Sequence, residues 1–111
     1  MKIGQYDLYS IETSEFSLDG GAMFGIIPKT LWKEKLSPDR LNRVDMVTRS
    51  LLMVTDNRKV LIDTGNGSKW AKKYLDMYNI DFSKYNILSS LKKSGFETDD
   101  ITDVILSLIH I

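Results

Sequence analysis

The stretch that decides the fold is VLIDTGNGSKW, residues 60–70. The apolar run KVLI predicts a strand that is covered on both faces, and it ends in Asp63. The turn TGNGS follows, and Ser68 is suited to cap a helix after it. An acidic residue delivered by a buried strand to a glycine-rich turn favours an α/β protein, because such proteins build their sites at the carboxyl ends of strands.

Two interpretations of Asp63 stay open from the residues alone. Asp63 either belongs to a site at the end of the strand or accepts N–H groups of its own turn, and the second is the commoner arrangement. The turn lacks the Gly-x-x-x-x-Gly-Lys-Ser/Thr spacing of a phosphate-binding loop. Gly65 and Gly67 have no third glycine at position 70, so a dinucleotide site is not expected.

The remaining elements alternate between extended and helical patterns. Asp56-Asn57-Arg58 is suited to a hairpin turn because Asp and Asn tolerate left-handed conformations. Predicted strands cover residues 2–12, Val47–Thr55, Lys59–Asp63 and a run from Val104, and predicted helices lie around Trp70–Met77 and Asn86–Ser94. This order predicts the α/β class.

Composition sets the broad limits. A chain of 111 residues is at most one small domain. Fifteen basic residues balance fifteen acidic ones, which gives no support to nucleic-acid or membrane-surface binding. Cysteine is absent, so disulfides and thiolate ligands are excluded. No run approaches the about 20 apolar residues of a membrane helix, and the chain lacks a signal-peptide core, so we expect a cytoplasmic protein.

Local patterns of metal or nucleophile chemistry are weak. His110 is the only histidine, and one histidine does not make a zinc site or a Ser-His-Asp triad. The acidic group Asp99, Asp100 and Asp103 lacks the spacing of a calcium loop and is better explained as a solvated helix-capping face.

Four segments together resemble one family. They are GGAMFGIIPKTLW (20–32), LNRVDMVTRSLLMV (41–54), KVLIDTGNGSKW (59–70) and TDDITDVILS (98–107). In this order they resemble the N-terminal half of metallo-β-lactamase-fold hydrolases. The FGIIPKTLW, RSLLMV and LIDTG segments are similar to the quorum-quenching lactonase and methyl-parathion-hydrolase-like branch of that superfamily.

The resemblance implies an αββα sandwich with two zinc ions at the edge of its sheets. In the family, a His-x-His-x-Asp-His motif directly after a DVILS-type strand supplies the first ligands, and a metal-bound hydroxide attacks the substrate. Asp63 and Gly65 match the strand-turn of the family, which implies a supporting role beside the site and not a ligand role. Met23, Phe24 and Ile26 match its entrance loop and are candidates to line the substrate pocket.

The sequence departs from the family where the metal motif begins. Leu108 stands where the first motif histidine is expected, and the Asp-His pair is missing. His110 falls at the register of the second histidine, but the ligand role is not carried onto it. We therefore predict no catalytic residue and no metal ligand in this chain, and two zinc ions only in a full-length parent.

The last six residues, LSLIHI (106–111), have a specific possible source. The transposon end used in sequencing libraries, CTGTCTCTTATACACATCT, encodes Leu-Ser-Leu-Ile-His-Ile in one frame. We therefore expect residues 1–111 to be a partial domain whose native part is 1–105, with 106–111 derived from the adapter. The junction lies somewhere within Ile105–Ser107.

The sequence predicts an N-terminal fragment of a zinc-dependent hydrolase, acting on small-molecule lactones or related esters, inactive as given. The fold expected is the N-terminal half of an αββα sandwich, incomplete, with apolar faces that favour self-association. Two alternatives stay open. The chain is a metal-free binding domain that reuses half the fold, or its parent is a thioester or phosphodiester hydrolase of the same superfamily.

Overall fold

The computed structural model describes residues 1–108. Its strands are β1 (Lys2–Ile3), β2 (Tyr6–Asp19), β3 (Arg43–Val54), β4 (Lys59–Ile62) and β5 (Asp103–Ile105). Its helices are α1 (Gly20–Phe24), α2 (Lys29–Trp32), α3 (Lys72–Met77) and α4 (Ile87–Lys93), with a 3-10 turn at Thr98–Asp100. No helix within residues 1–108 is long and apolar enough to cross a membrane.

The five strands form one sheet in the order β1-β2-β3-β4-β5. Neighbours are antiparallel except β4 and β5, which are parallel. Parallel strands need a crossover connection, and here it contains α3 and α4. The predicted α/β class and the predicted hairpin between β3 and β4 are confirmed.

Helix α4 covers one face of the sheet, which we call the covered face. Ile11, Leu52, Leu61 and Leu91 form the fully buried core there. The helix is placed by its ends. The Asn86 side chain accepts the N–H of Ser89 as an N-cap, and Gly95 takes a left-handed φ of 88° just after the helix.

The opposite face of the sheet, which we call the open face, also carries apolar side chains. Alternation along the strands and the pairing register assign residues to it. The exposed fraction of Leu51 is 37% and that of Ile105 is 52%. The apolar members of the open face are Leu8, Leu51, Met53, Val60, Ile62 and Ile105.

Three sequence predictions differ from the structure. The first strand does not end at residue 12, because pairing with β3 continues β2 to Asp19 across a bulge between Glu12 and Ser14. The predicted turn at Asp19-Gly20-Gly21 is the start of α1, where the Asp19 carboxylate accepts the N–H of Ala22. Helix α3 begins at Lys72 and not at Ser68, because Ala71 before it is extended.

Candidate functional site

The candidate site lies where β4 and β5 end. Because the two strands are parallel, their carboxyl ends meet at one edge of the sheet. The N–H of Asp63 donates to the carbonyl of Ile105 over 2.8 Å, which continues the pairing one residue beyond β4. Asp63 itself has a left-handed φ of 63°, which few non-glycine residues adopt. Such a conformation at a strand end is a feature that functional positions often carry.

The Asp63 carboxylate is bound from the other strand. The N–H of Ser107 donates to Asp63 Oδ1 over 2.9 Å, and the Ser107 hydroxyl lies 2.9 Å from both carboxylate oxygens. The backbone N–H first, and then the hydroxyl, hold the pKa of Asp63 below its ordinary value. The simpler interpretation of Asp63, a carboxylate that caps its own turn, is therefore wrong, since the donors belong to the segment after β5.

The glycine-rich turn is seated on the bulge of β2. Gly65 has a φ of 74°, and a Cβ there would overlap the side chain of Thr13. Asn66 donates its side-chain amide to Ser14 Oγ over 3.1 Å, and Ser14 is fully buried. Thr48 Oγ1 lies 2.7 Å from both Thr13 Oγ1 and Ser14 Oγ. These contacts fix the turn against the sheet.

An aromatic group lies beside this turn. The indole N–H of Trp70 donates to the carbonyl of Asn66 over 2.6 Å. Trp70 also packs edge-on against Tyr74 and Tyr78, with ring centroids 6.0 and 6.4 Å apart. Trp70 therefore belongs to the turn and not to a helix. The predicted helical spacing of Trp70 and Tyr74 reflects real packing without a continuous helix.

A cleft of about 490 Å³ opens between the turn and the start of α4. Asn66 and Thr13 supply polar groups to its wall, and Phe82, Ile87 and Leu88 supply apolar surface. The three entrance-loop candidates do not line this cleft. The cleft is mostly apolar, with a few polar groups at one side, which is the usual character of a small-molecule site.

The entrance-loop candidates lie around α1. Phe24 stacks on Trp32 with ring centroids 4.9 Å apart, and Trp32 is buried against Gly20. Met23 is 42% exposed, and Ile26 is fully exposed. The structure therefore anchors Phe24 and leaves Ile26 free to contact another molecule.

Metal ligands are not assembled in the described part of the chain. Residues 1–108 contain no group of three or more His, Cys, Asp or Glu side chains placed to hold a metal ion. Leu108, at the register of the first motif histidine, is 79% exposed. His110 lies outside the described residues. Residues 1–108 therefore do not fit a dinuclear zinc centre on their own.

Two functional contacts could not be found from residues alone. Ser107 is the partner of Asp63, but the 44 residues between them hide the pair in the sequence. The seat formed by Thr13, Ser14 and Thr48 depends on a β-bulge, and no residue pattern in β2 indicates one. The segment order of the family resemblance was the one signal that pointed to this part of the fold.

Solved structures of similar fold cover nearly the whole chain. A probable metal-dependent hydrolase from Staphylococcus aureus matches with a TM-score of 0.83 and 30% identity, over 99% of this chain and 40% of that chain. AidC, a dizinc quorum-quenching lactonase solved with a product, N-hexanoyl-L-homoserine, matches with a TM-score of 0.69 and 26% identity, over 99% of this chain and 35% of its own. No family model and no curated protein matches the chain.

These comparisons confirm the resemblance and the fold. The chain has the architecture of part of a metallo-β-lactamase-fold hydrolase, and it spans 40% and 35% of the two matched chains. A metal-dependent hydrolase fold is therefore established for the residues that align.

Proposed function

We propose that this chain is the N-terminal part of a zinc-dependent hydrolase that cleaves lactones or related esters, and that the 111 residues are inactive on their own. One observation carries the proposal. Nearly all of the chain aligns with less than half of a metal-dependent hydrolase and of a dizinc lactonase. The native part proposed is 1–105, with 106–111 derived from a sequencing adapter. A cytoplasmic location stays a prediction.

We propose that Asp63 is a positioning residue of the parent site. Its carboxylate holds the N–H and the hydroxyl of Ser107, directly after β5. The family resemblance puts the metal-binding motif at that point of the chain. A carboxylate that fixes the preceding residue would limit the motion of the ligand segment and orient its side chains. Gly65 supports Asp63, because only a glycine lets the turn approach Thr13 so closely.

The proposed substrate contacts are Met23, Phe24 and Ile26. Stacking on Trp32 fixes Phe24, while Ile26 projects fully into solvent. An anchored loop that carries an exposed apolar tip is suited to contact an apolar part of a small-molecule substrate. The product bound by AidC, an acylated homoserine, has such an apolar part.

The test compares the 111-residue chain with the product of the longer reading frame from the source DNA. Zinc content is measured by elemental analysis, and hydrolysis is measured with the lactone of N-hexanoyl-L-homoserine and with a simple aryl ester. We expect two zinc ions and hydrolysis for the longer product, and neither for the shorter chain. A longer product that binds zinc but hydrolyses only thioesters or phosphodiesters would contradict the proposed substrate class.

A further inference from the structure

We propose that the open face of the sheet binds the open face of a second copy of this chain, which gives a two-fold symmetric sandwich. The proposal concerns the 111-residue chain and does not depend on the hydrolase activity proposed above. The open face is the surface opposite α4, defined above by its six apolar residues.

The amount of exposed surface is the first argument. A compact monomer of 12.7 kDa exposes about 6,200 Å². This chain exposes 8161 Å², which is roughly 1,900 Å² more. Its radius of gyration is 16.5 Å, against about 13 Å for a compact domain of this length. A stable interface buries about 800 Å² on each partner, so the excess is large enough for one.

The distribution of apolar side chains is the second argument. The covered face packs its core residues under α4, whereas the open face has no helix over it in the described part of the chain. Leu51 lies near the middle of the open face at 37% exposure, and Ile105 at its edge is 52% exposed. Two sheets pack face to face about 10 Å apart when their inner faces are apolar, as these are.

Charge is the third argument, because a two-fold interface places each group near its own copy. The carboxylates that border the apolar patch are already neutralised within the chain. Glu12 pairs with Arg49 over 3.1 Å, and Asp103 pairs with Arg58 over 2.7 Å. The chain as a whole has no net charge, so two copies do not repel each other.

The face is a better interface than the sheet edges. Strand β5 offers only three residues for pairing, and β1 offers two. Short edge strands are a common protection against edge-to-edge association. The open face extends across four strands, β2 to β5, and so presents a continuous surface.

The first experiment measures the mass of the full 111-residue chain by sedimentation equilibrium at micromolar concentrations. We expect a dimer of twice 12.7 kDa. Leu51→Lys should weaken the dimer at least ~100-fold, because each dimer would bury two unpaired ammonium groups. Leu88→Lys is the matched control. Leu88 is 62% exposed on α4, which packs on the covered face, so the dimer should be unchanged.

A second experiment does not depend on a charged substitution. The chain has no cysteine, so Leu51→Cys and Leu88→Cys each introduce a single thiol. A bismaleimide that spans the sheet spacing should link two copies through the thiol at position 51 and not through the one at position 88. A chain that is monomeric at every concentration would overturn the proposal. So would aggregates that Leu51→Lys leaves intact, or an open face that is protected only by further residues of a longer gene product.

Discussion

The carboxylate of Asp63 holds Ser107, 44 residues further along the chain, through one backbone N–H and one hydroxyl. The two residues lie just beyond the ends of the parallel strands β4 and β5. The link therefore joins the two strand ends at the edge of the sheet where the resemblance puts the metal site. Its strength can be tested in the chain as it stands, without any metal.

Asp63→Ala should lower the melting temperature and release residues 106–108 from the sheet edge. The substitution removes both acceptors for Ser107 and places a Cβ residue with no compensating side chain at a φ of 63°. Hydrogen exchange of the Ser107 amide measures the release. Asp76→Ala is the control, since the Asp76 carboxylate pairs only with exposed Lys72. Equal protection of Ser107 in both variants would contradict the role given to Asp63.

The Asp63 contact should also make stability depend on pH. The folded pKa of Asp63 lies below the ordinary 3.8, because the Ser107 N–H and hydroxyl stabilise the charged form. Its contribution is therefore fully present above pH 3.8 and is lost as the pH falls through the lower, folded value. Asp63→Asn should remove this part of the acid dependence. The measurement is the melting temperature of both proteins as a function of pH, and parallel curves would contradict the prediction.

Gly65→Ala should destabilise the fold more than Gly67→Ala. Both glycines have positive φ, 74° and 69°, so both substitutions introduce backbone strain of about 1–2 kcal/mol. Only at Gly65 does a Cβ also meet the Thr13 side chain, whereas the space at Gly67 is open. Chemical denaturation measures the two free energies of unfolding. Equal losses would show that the turn is not seated on Thr13 as described.

Leu91→Ala should cost about 2–5 kcal/mol in the free energy of unfolding, because it opens a cavity in the core under α4. Leu91 is 1% exposed and packs with Ile11, Leu52 and Leu61. Leu88→Ala on the same helix should change the free energy by less than about 0.5 kcal/mol, since Leu88 faces solvent. Similar losses for the two variants would mean that α4 is not packed in this orientation.

Local chemistry explains which elements could be predicted. The Asn86 cap and the Gly95 stop are short-range signals, and α4 has the expected bounds to within a residue. The hairpin between β3 and β4 likewise follows from its three-residue turn and the apolar runs on each side. Such signals depend on neighbours in the sequence, which a single chain displays directly.

Long-range contacts explain the rest. The extension of β2 to Asp19 depends on pairing with β3, and the late start of α3 depends on the Trp70 contact with Asn66. At the site, Asp63 could be singled out because it ends an apolar strand. Its partner Ser107 could not, because their contact depends on the parallel alignment of β4 and β5.

The most direct test of the central claim is to amplify and resequence the source DNA from the codon of Asp63 past the codon of Ile111. We predict that the reading frame continues from the β5 segment DVILS into a His-x-His-x-Asp-His motif, followed by the remaining part of a metallohydrolase. A source gene that encodes LSLIHI followed by its own stop codon would contradict this, and the chain would then be a metal-free half of the fold.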